Sequence, residues 1–587
     1  MSRRSIARIV LLACLPASAA CSIPLESAEA MPTNACDSSV QCGPGATCAE
    51  VGGQRACVST SAELEGLFLE IRPAAANVGA EPSNLLNFAT QEIAIARHAD
   101  AGQVYFVDLD VPSPASVSAN WSVGGSYCDI DGGGIFPLKV EFRRVSPHVG
   151  LEGQSYWTTS APNGLGGQRF ELAIPTGDYH VHIIPQPHKD CDYDLPPPIF
   201  LPNQHIPAVW KPDIMAGSPR VLAGSLKVPR GVDVSGWKLD LLEPLTGSVI
   251  SQVGVLEQSD AQPDVPFSVK FYLADPTTIP IVRLRPKDGD ARLTTYWQLD
   301  GVALDGSTQD LALLLFDAEA EAEAEARRVE GRVLDMAGNP VFATVRIQRA
   351  TTSGKLQHAA YKLDTETDET GLFEASLPPG EYVVYAQPSG DATKAKAEQI
   401  LKVPAGSDCY CGQTILIPEA GSLRGRVSGP TGEQMAGAAV FAVPSVSAAK
   451  SYFNRVLQLD PLLPRQASGV LQGGGFSLRI DPGEFDFSIR PPPGSAYPWL
   501  VRPRLTVPST DAPIAELDLT MPYPAVLQGV VRDYTGAPLG DALVVAWLPV
   551  ESTTPRGEEV AGVLQIGETR SGPDGSYVLL LPPSTSR

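Results

Sequence analysis

Catalytic signatures are the first thing that this 587-residue sequence lacks. No serine stands in a GxSxG turn, no GxxxxGKS or GxxxxGKT loop is present, and no histidine begins an HxxE or HExxH string. These absences exclude the common serine hydrolases, P-loop nucleotide hydrolases and zinc peptidases. The sequence therefore predicts a protein that is not an enzyme and has no cofactor. Its seven histidines are His98, His148, His180, His182, His188, His205 and His358.

Positive charge is also scarce. The chain carries 44 Lys and Arg against 66 Asp and Glu, which gives a formal net charge of −22. A surface of this sign repels phosphate backbones, so nucleic acid is excluded as an expected partner.

Long apolar runs are absent beyond the N-terminus, since no later segment reaches the roughly 18 residues that a membrane-spanning helix needs. The N-terminus itself has a basic start (Arg3, Arg4 and Arg8) followed by the short apolar stretch 9–20, which is typical of a signal peptide over 1–20. It ends Ser18-Ala19-Ala20-Cys21.

Small residues directly before a cysteine resemble the lipobox of bacterial lipoproteins. The resemblance implies lipidation of Cys21, export, and attachment to the outer membrane or cell surface of a bacterium through that lipid. Two alternatives stay open: Leu12-Ala13-Cys14 is a second lipobox-like string, and Cys21 could follow an ordinary secretory signal by coincidence.

Glycine and proline are abundant, with 54 of each, and valine and leucine occur in short runs cut by turn residues. A chain of this length holds several domains of roughly 100 residues. Short apolar runs between turn signals predict an all-β protein of tandem small sandwiches.

Eight cysteines remain once Cys14 and Cys21 are set aside, and an exported chain is expected to pair them. After a linker over 21–35, Cys36, Cys42, Cys48 and Cys57 lie in a segment (36–60) too small for a core, which resembles a shortened epidermal-growth-factor-like knot with two bridges. Cys128 and Cys191 could form another bridge. Cys409 and Cys411 leave either a local bridge or unassigned partners, and a zinc site is the weaker alternative because no paired CxxC spacing accompanies them.

One pattern recurs with constant spacing. Phe170 is followed by Ile174, Gly177, Asp178, Tyr179 and Pro185; Phe373 and Phe476 begin the same series, with Gly380-Glu381-Tyr382 and Gly483-Glu484-Phe485. The unit predicts a strand, a tight turn and a second strand, in which alternate residues such as Tyr179, Val181 and Ile183 face the core.

A second shared segment precedes these hairpins. It opens with Val329-Glu330-Gly331-Arg332-Val333, Leu423-Arg424-Gly425-Arg426-Val427 or Leu527-Gln528-Gly529-Val530-Val531. In the first copy Gly338-Asn339-Pro340 and then Thr367-Asp368, Gly371 and Phe373 follow. This series resembles the carboxypeptidase regulatory-like domain, an Ig/transthyretin-like sandwich related to carbohydrate-binding folds.

The resemblance covers 328–418 and 419–522, and it covers 523–587 in part. In that last copy Ser584 stands where glycine is expected, so a final strand is missing and exposed strand edges are expected; a truncated product or a naturally short module would explain it. Residues 221–316 are expected to be a divergent copy, 122–220 a sandwich with the Phe170 hairpin, and 61–121 a β-rich segment. The Ala/Glu run 317–327 is expected to be a charged spacer, with a calcium tract as the weaker alternative.

His180 and His182 alternate with the core-facing Tyr179, Val181 and Ile183, so both are expected to project from the outer face within reach of one metal ion. Ordinary surface histidines are the favoured interpretation, and no metal is expected. The seven tryptophans are scattered at about one per domain, which favours core packing over a sugar platform.

These features together predict a non-catalytic, lipid-anchored scaffold that binds carbohydrate or protein at the cell envelope. Carbohydrate binding is implied mainly by the family resemblance. An accessory subunit of an envelope enzyme or transport complex is the alternative.

Overall fold

A computed structural model describes much of the chain downstream of Cys36 and none of the signal-peptide region. It contains strands and turns and, within the described residues, no helix, so the predicted class, tandem β-sandwiches after a short disulfide-containing segment, is confirmed. The described residues are 36, 46–51, 54–59, 67–72, 89–93, 104–111, 114–123, 137–145, 155–162, 168–187, 195–216, 219–229, 232–244, 246–258, 264–272, 280–288, 290–298, 308–315, 327–350, 358–404, 409–445, 462–508, 516–553 and 559–583.

The chain begins with a small hairpin of β1 (Ala46–Val51) and β2 (Gln54–Ser59). Cys48 on β1 lies opposite Cys57 on β2 and forms a disulfide with Cys36, with the two Cα atoms 5.8 Å apart. Cys57 is also disulfide-bonded. Cys42 lies outside the described residues.

Four short strands follow: β3 (Leu67–Arg72), β4 (Ala89–Ile93), β5 (Tyr105–Phe106) and β6 (Leu109–Asp110). β3 pairs with β4, but the remaining partners of this segment lie at the other end of the chain.

Sandwich 1 (114–216) has one sheet built on β11 and β7 and a second sheet of order β13-β12-β8-β9. The sequence placed its start at 122. The structure begins it at Pro114, because residues 114–121 of β7 pair with β11 and bury Val117 and Trp121. Its strands are β7 (Pro114–Val123), β8 (Leu138–Arg144), β9 (Ser155–Thr159), β10 (Ala161–Pro162), β11 (Gln168–Pro175), β12 (Gly177–Pro185), β13 (Ile199–Ile206), β14 (Val209–Trp210) and β15 (Asp213–Ala216).

Sandwich 2 (220–315) has a three-stranded sheet, β19-β16-β22, against a four-stranded one, β18-β17-β20-β21. Trp237, Trp297 and Phe271 fill its core. Its strands are β16 (Arg220–Lys227), β17 (Lys238–Leu242), β18 (Gly254–Val255), β19 (Asp264–Phe271), β20 (Ile281–Arg285), β21 (Thr294–Gln298) and β22 (Thr308–Leu314).

Sandwich 3 (327–417) repeats this arrangement, and its four-stranded sheet joins that of sandwich 2 edge to edge through β21 and β25, which makes one eight-stranded sheet. Cys409 and Cys411 form a disulfide within β29, with Cα atoms 5.3 Å apart. The strands are β23 (Arg327–Asp335), β24 (Ala343–Ala350), β25 (His358–Glu366), β26 (Leu372–Leu377), β27 (Gly380–Pro388), β28 (Ala397–Val403) and β29 (Cys409–Ile417).

Sandwich 4 (421–521) has the orders β33-β30-β36 and β32-β31-β34-β35. Its strands are β30 (Gly421–Ser428), β31 (Ala439–Pro444), β32 (Ala467–Val470), β33 (Gly475–Ile480), β34 (Gly483–Arg490), β35 (Leu500–Val507) and β36 (Leu517–Thr520).

The C-terminal residues supply β37 (Ala525–Arg532), β38 (Leu543–Thr553), β39 (Glu559–Arg570) and β40 (Ser576–Leu581). These four strands match the first four of sandwich 3. The positions of its last three strands are taken by the N-terminal β3, β4 and β5 with β6, in the orders β39-β38-β3-β4 and β40-β37-β5. Sandwich 5 thus consists of 67–111 and 525–581.

This arrangement differs from the sequence expectation for 61–121 and 523–587, which treated them as separate units. The expected exposed edges of 523–587 are covered by strands from the other end of the chain. A local alignment could not reveal that pairing, because the contacts join residues more than 400 positions apart.

The family-like motifs hold turns together. Asp335 accepts hydrogen bonds from the backbone N–H groups of Ala337 and Asn339, and these bonds and the Asn339 side chain lower the pKa of Asp335 to about 2. Thr367 Oγ1 accepts from the Ala343 N–H and donates to the Val341 carbonyl. In the repeated hairpin, the hydroxyl of Tyr382 donates to the Pro378 carbonyl at 2.8 Å. The conserved spacing within the chain therefore reflects backbone geometry.

The glycine at the centre of each opening strand has a single role in sandwiches 2 to 5. Gly224, Gly331, Gly425 and Gly529 face the parallel strand that closes the three-stranded sheet, and in three of the four a Cβ atom would overlap a backbone carbonyl of that strand. At Gly331 the side chain of Phe373 fills the space instead. Only a residue without a Cβ allows this close approach.

Replacing Gly425 with alanine tests this packing. The added Cβ would lie 2.5 Å from the Leu517 carbonyl oxygen, so we expect a loss of about 1–3 kcal/mol, typical of an overpacked core. Gly475→Ala, on the neighbouring strand with its nearest atom at 3.6 Å, is the matched control. Urea unfolding followed by tryptophan fluorescence would measure both; equal midpoints would contradict the packing role.

Candidate functional site

The outer faces of the four-stranded sheets are where ligands or partners could bind, and much of that surface is already used between sandwiches. The residue twelve positions after the first Phe of each hairpin points away from its own core, yet it is buried in every copy. His182 is 8% exposed, Tyr385 4% and Ser488 6%. This position is therefore covered in all three hairpins, and for His182 the cover comes from sandwich 2.

His182 shows the contact directly. Its Nε2–H donates to the backbone carbonyl of Val249 in sandwich 2 at 2.9 Å, and its ring meets Phe200 edge-on with centroids 6.2 Å apart. Burial lowers the pKa of His182, although the Val249 carbonyl and Glu141 oppose that shift. The sequence expected this histidine on an open outer face. It missed the neighbouring sandwich, which a strand pattern cannot reveal.

His180 lies on the same face and is half-buried. Its Nδ1 accepts the Asn203 backbone N–H at 3.3 Å, and its ring stacks on Phe200 with centroids 5.4 Å apart. Burial, followed by the charge of Arg143, lowers the pKa of His180. In each histidine, one ring nitrogen is thus hydrogen-bonded to a backbone group. Within the described ranges, no three His, Cys, Asp or Glu side chains are grouped to hold a metal ion.

The other side of this face is open at Trp157. A row of directly opposed residues runs across the sheet from Trp157 on β9 through Glu141 on β8 and His182 on β12 to Phe200 on β13. Trp157 is 46% exposed at the edge of the row. All seven tryptophans lie in described segments, and the other six are buried or half-buried. The expectation of core packing is therefore wrong for Trp157, and also for Trp547, which lies on the outer face of its sheet.

Charged groups surround Trp157. The Lys139 ammonium lies 5.8 Å from the centroid of the indole and forms an ion pair with Glu141 at 2.5 Å. Arg143 is the next outward-facing residue along β8. The result is an exposed aromatic ring bordered by donors and an acceptor.

The second feature is the seam of sandwich 5, where strands from 67–111 pair with strands from 525–581. Leu67, Leu69 and Ile71 of β3 enter the same core as the C-terminal residues Leu527 and Leu579, and each is at most 1% exposed. On the outer face Glu70 accepts the indole N–H of Trp547 at 2.9 Å and a two-point contact from Arg72. The buried carboxylate is thereby held by Arg72 on its own strand and by Trp547 across the seam.

The β5 and β6 side of the seam is equally specific. The Tyr577 hydroxyl donates to the Val107 carbonyl at 2.8 Å, and Asp108 accepts from the Val530 N–H and from Arg532. Those bonds lower the pKa of Asp108, while burial raises that of Tyr577. Phe170, Phe373 and Phe476 stand where Tyr577 does in the other hairpins, so only this copy has a hydroxyl there.

Several predicted sites fall outside the described residues. These are the lipidation site Cys21, Cys42, Cys128, Cys191 and the acidic spacer 317–326. Among the segments that are described, there is no helix of the length and apolarity that a bilayer crossing needs.

Comparisons with known proteins add little. No family model and no curated protein matches the sequence. Solved structures that resemble it include a streptococcal ancillary pilin (9% identity, 52% of this chain and 99% of that one, TM-score 0.21). Others are the TIE protein of Bacillus anthracis (11%, 65% and 68%, TM-score 0.16) and the pilus adhesin SpaC of Lactobacillus rhamnosus GG (9%, 66% and 57%, TM-score 0.15). Scores this low carry no argument about the present chain.

Acid sensitivity of the junction between sandwiches 1 and 2 follows from His182. Because its pKa is lowered in the folded protein, the unfolded chain takes up the proton first as pH falls below about 6.5, and the junction loses stability over that range. His182→Gln keeps an N–H donor without a titrating ring, so we expect its Tm to fall less than that of the wild type between pH 7.5 and 5.5.

The control is His205→Gln, because His205 is on the same sheet of sandwich 1 and its side chain is exposed. It should keep the wild-type pH response. Equal pH responses of all three proteins, measured by calorimetry, would rule out His182 as the source.

Proposed function

We propose that this chain is an exported bacterial lipoprotein, anchored through Cys21, whose tandem carboxypeptidase regulatory-like sandwiches form a non-catalytic scaffold that binds carbohydrate at the cell envelope. The exposed face of Trp157 is the observation that carries the binding half of this proposal. The scaffold half is supported by the sandwich repeat and by the contacts that join successive sandwiches.

The chemistry of the Trp157 face suits a sugar. The C–H faces of a pyranose ring pack on an aromatic ring, and its hydroxyl groups need donors and acceptors at the rim. Lys139 and Arg143 supply donors beside Trp157, and Glu141 supplies an acceptor. The arrangement is flat and open, which favours an extended polysaccharide over a small enclosed ligand.

The junctions support a scaffold that holds this face in a fixed place. Sandwich 4 meets sandwich 3 through Arg465, which pairs with the buried Asp481 and also reaches the Asp391 carbonyl at 2.6 Å. It meets sandwich 5 through Trp499 and Val501, which pack into the core of sandwich 5. On the sandwich 4 side, the guanidinium of Arg490 lies between Phe441 and Trp499, at 4.2 and 4.0 Å from the ring centroids. Contacts of this kind restrict the motion of one sandwich relative to the next.

Glycan binding is tested by sedimentation of the purified mature protein with insoluble and surface polysaccharides, with a heat-unfolded control. We expect saturable binding that soluble sugar competes, and a loss of about tenfold in affinity, or roughly 1.4 kcal/mol, for Trp157→Ala. Met215→Ala is the matched control, because Met215 is 80% exposed on the other sheet of the same sandwich. Unchanged binding by Trp157→Ala would remove this face from the proposal.

Anchoring is tested separately. Cells expressing the wild type and fed an alkyne fatty acid should yield a labelled protein in the membrane pellet, whereas Cys21→Ser should be unlabelled and released from the pellet. Cys14→Ser is the control for the second lipobox-like string and should behave as the wild type. Labelling that follows Cys14 instead of Cys21 would contradict the assignment.

A further inference from the structure

Sandwich 5 is made of two pieces that are held together by contacts alone. The donor segment (67–111) and the acceptor half (525–581) meet along three strand pairings: β3 with β38, β5 with β37, and β6 with β37. No disulfide in the described residues joins them. The two surfaces of the seam are therefore held together by non-covalent contacts.

The acceptor half has features that select this donor. Gly529 leaves room for the Val107 carbonyl, and Tyr577 donates a hydrogen bond to that same carbonyl. Trp547 reaches the carboxylate of Glu70. An unrelated strand with alternating apolar residues could fill the core, but it would not present a carboxylate to Trp547 and a closely approaching backbone carbonyl to Gly529 and Tyr577.

Donor and acceptor stand at opposite ends of the described chain. The donor leads into β7 after residues 112 and 113, and the acceptor half follows β36 after residues 521–524. Pairing within one chain closes a loop of more than 400 residues. When the donor belongs to another molecule, the entropic cost of that closure is replaced by the concentration-dependent entropic cost of bringing two molecules together. Exchange of an identical element between copies retains all native contacts.

We propose that the acceptor half also takes the donor segment of a second copy of this chain, so that the seam is a strand-exchange joint between protomers. At low concentration each chain closes on itself, because the two pieces share a molecule. When chains fold at high local concentration, as on a membrane surface, the donor of one copy completes sandwich 5 of the next. Such contacts are head-to-tail and produce rings or linear chains of protomers.

The test places one thiol on each side of the seam. Phe106 and Gln528 are Cα partners on β5 and β37, and Phe106 is 78% exposed. Full mature chains in a Cys21→Ser background, with native disulfides intact, carry either Phe106→Cys or Gln528→Cys and different tags. They are mixed in denaturant, refolded together and treated with a short bismaleimide.

We expect cross-linked heterodimer to increase at least tenfold in fraction between refolding at about 1 µM and at about 100 µM. A single chain with both substitutions should cross-link within itself, which verifies the geometry and the chemistry in a folded seam. Adding Gly529→Val to the Gln528→Cys copy should abolish the heterodimer, since its side chain would overlap the donor backbone.

No heterodimer at 100 µM, with the double-substituted chain cross-linking fully, would overturn the proposal. So would heterodimer that persists with Gly529→Val, because the link would then form without the acceptor. The decisive comparison is between the two refolding concentrations of the copies that retain Gly529. Its outcome is therefore valid even where the Gly529→Val chain does not fold.

Discussion

The approach of a parallel strand onto the glycine of the opening strand is the constraint on which this structure depends. In sandwiches 2 to 5 the parallel strand covers this glycine. In three of them a Cβ atom would overlap the backbone of that strand, and in sandwich 3 it would overlap the ring of Phe373. The opening strand is thus built to receive a partner. In sandwiches 2, 3 and 4 the partner follows in sequence as β22, β29 or β36, and in sandwich 5 it precedes by more than 400 residues.

The same constraint explains how the sandwiches associate. With the three-stranded sheet closed by its parallel strand, the four-stranded sheet is left to meet neighbours. The four-stranded sheets of sandwiches 2 and 3 join edge to edge as one eight-stranded sheet, and sandwich 1 contacts sandwich 2 through the outward-facing His182. Buried charged groups are paired: at the contact of sandwiches 3 and 4, Asp481 is fully buried and bound by Arg465, and within sandwich 2, Asp240 is fully buried between Arg283 and Arg285. Removing one partner of such a pair would leave an uncompensated charge.

The sequence was informative where information is local. The alternation after Phe170, Phe373 and Phe476 predicted the hairpins, and Tyr179, Val181 and Ile183 are buried as the period of two requires. It was uninformative where burial comes from another part of the chain. His182 and Trp157 occupy the same row of one sheet, yet one is covered by sandwich 2 and the other is exposed, and no periodicity distinguishes them. The closing strands of sandwich 5 were hidden for the same reason, although Ser584, in place of the expected glycine, indicated that the last copy lacks a final strand of its own.

Because sandwich 5 is divided between the two ends of the chain, it can form only after the whole chain has been synthesised. The strands at 67–111 leave the ribosome first, and the strands they need at 525–581 arrive last. Through that interval Leu67, Leu69 and Ile71 have no core to enter. A polypeptide whose synthesis stops between these segments keeps an unpaired, apolar set of strands near its amino end, which exposes the incomplete product to aggregation or degradation.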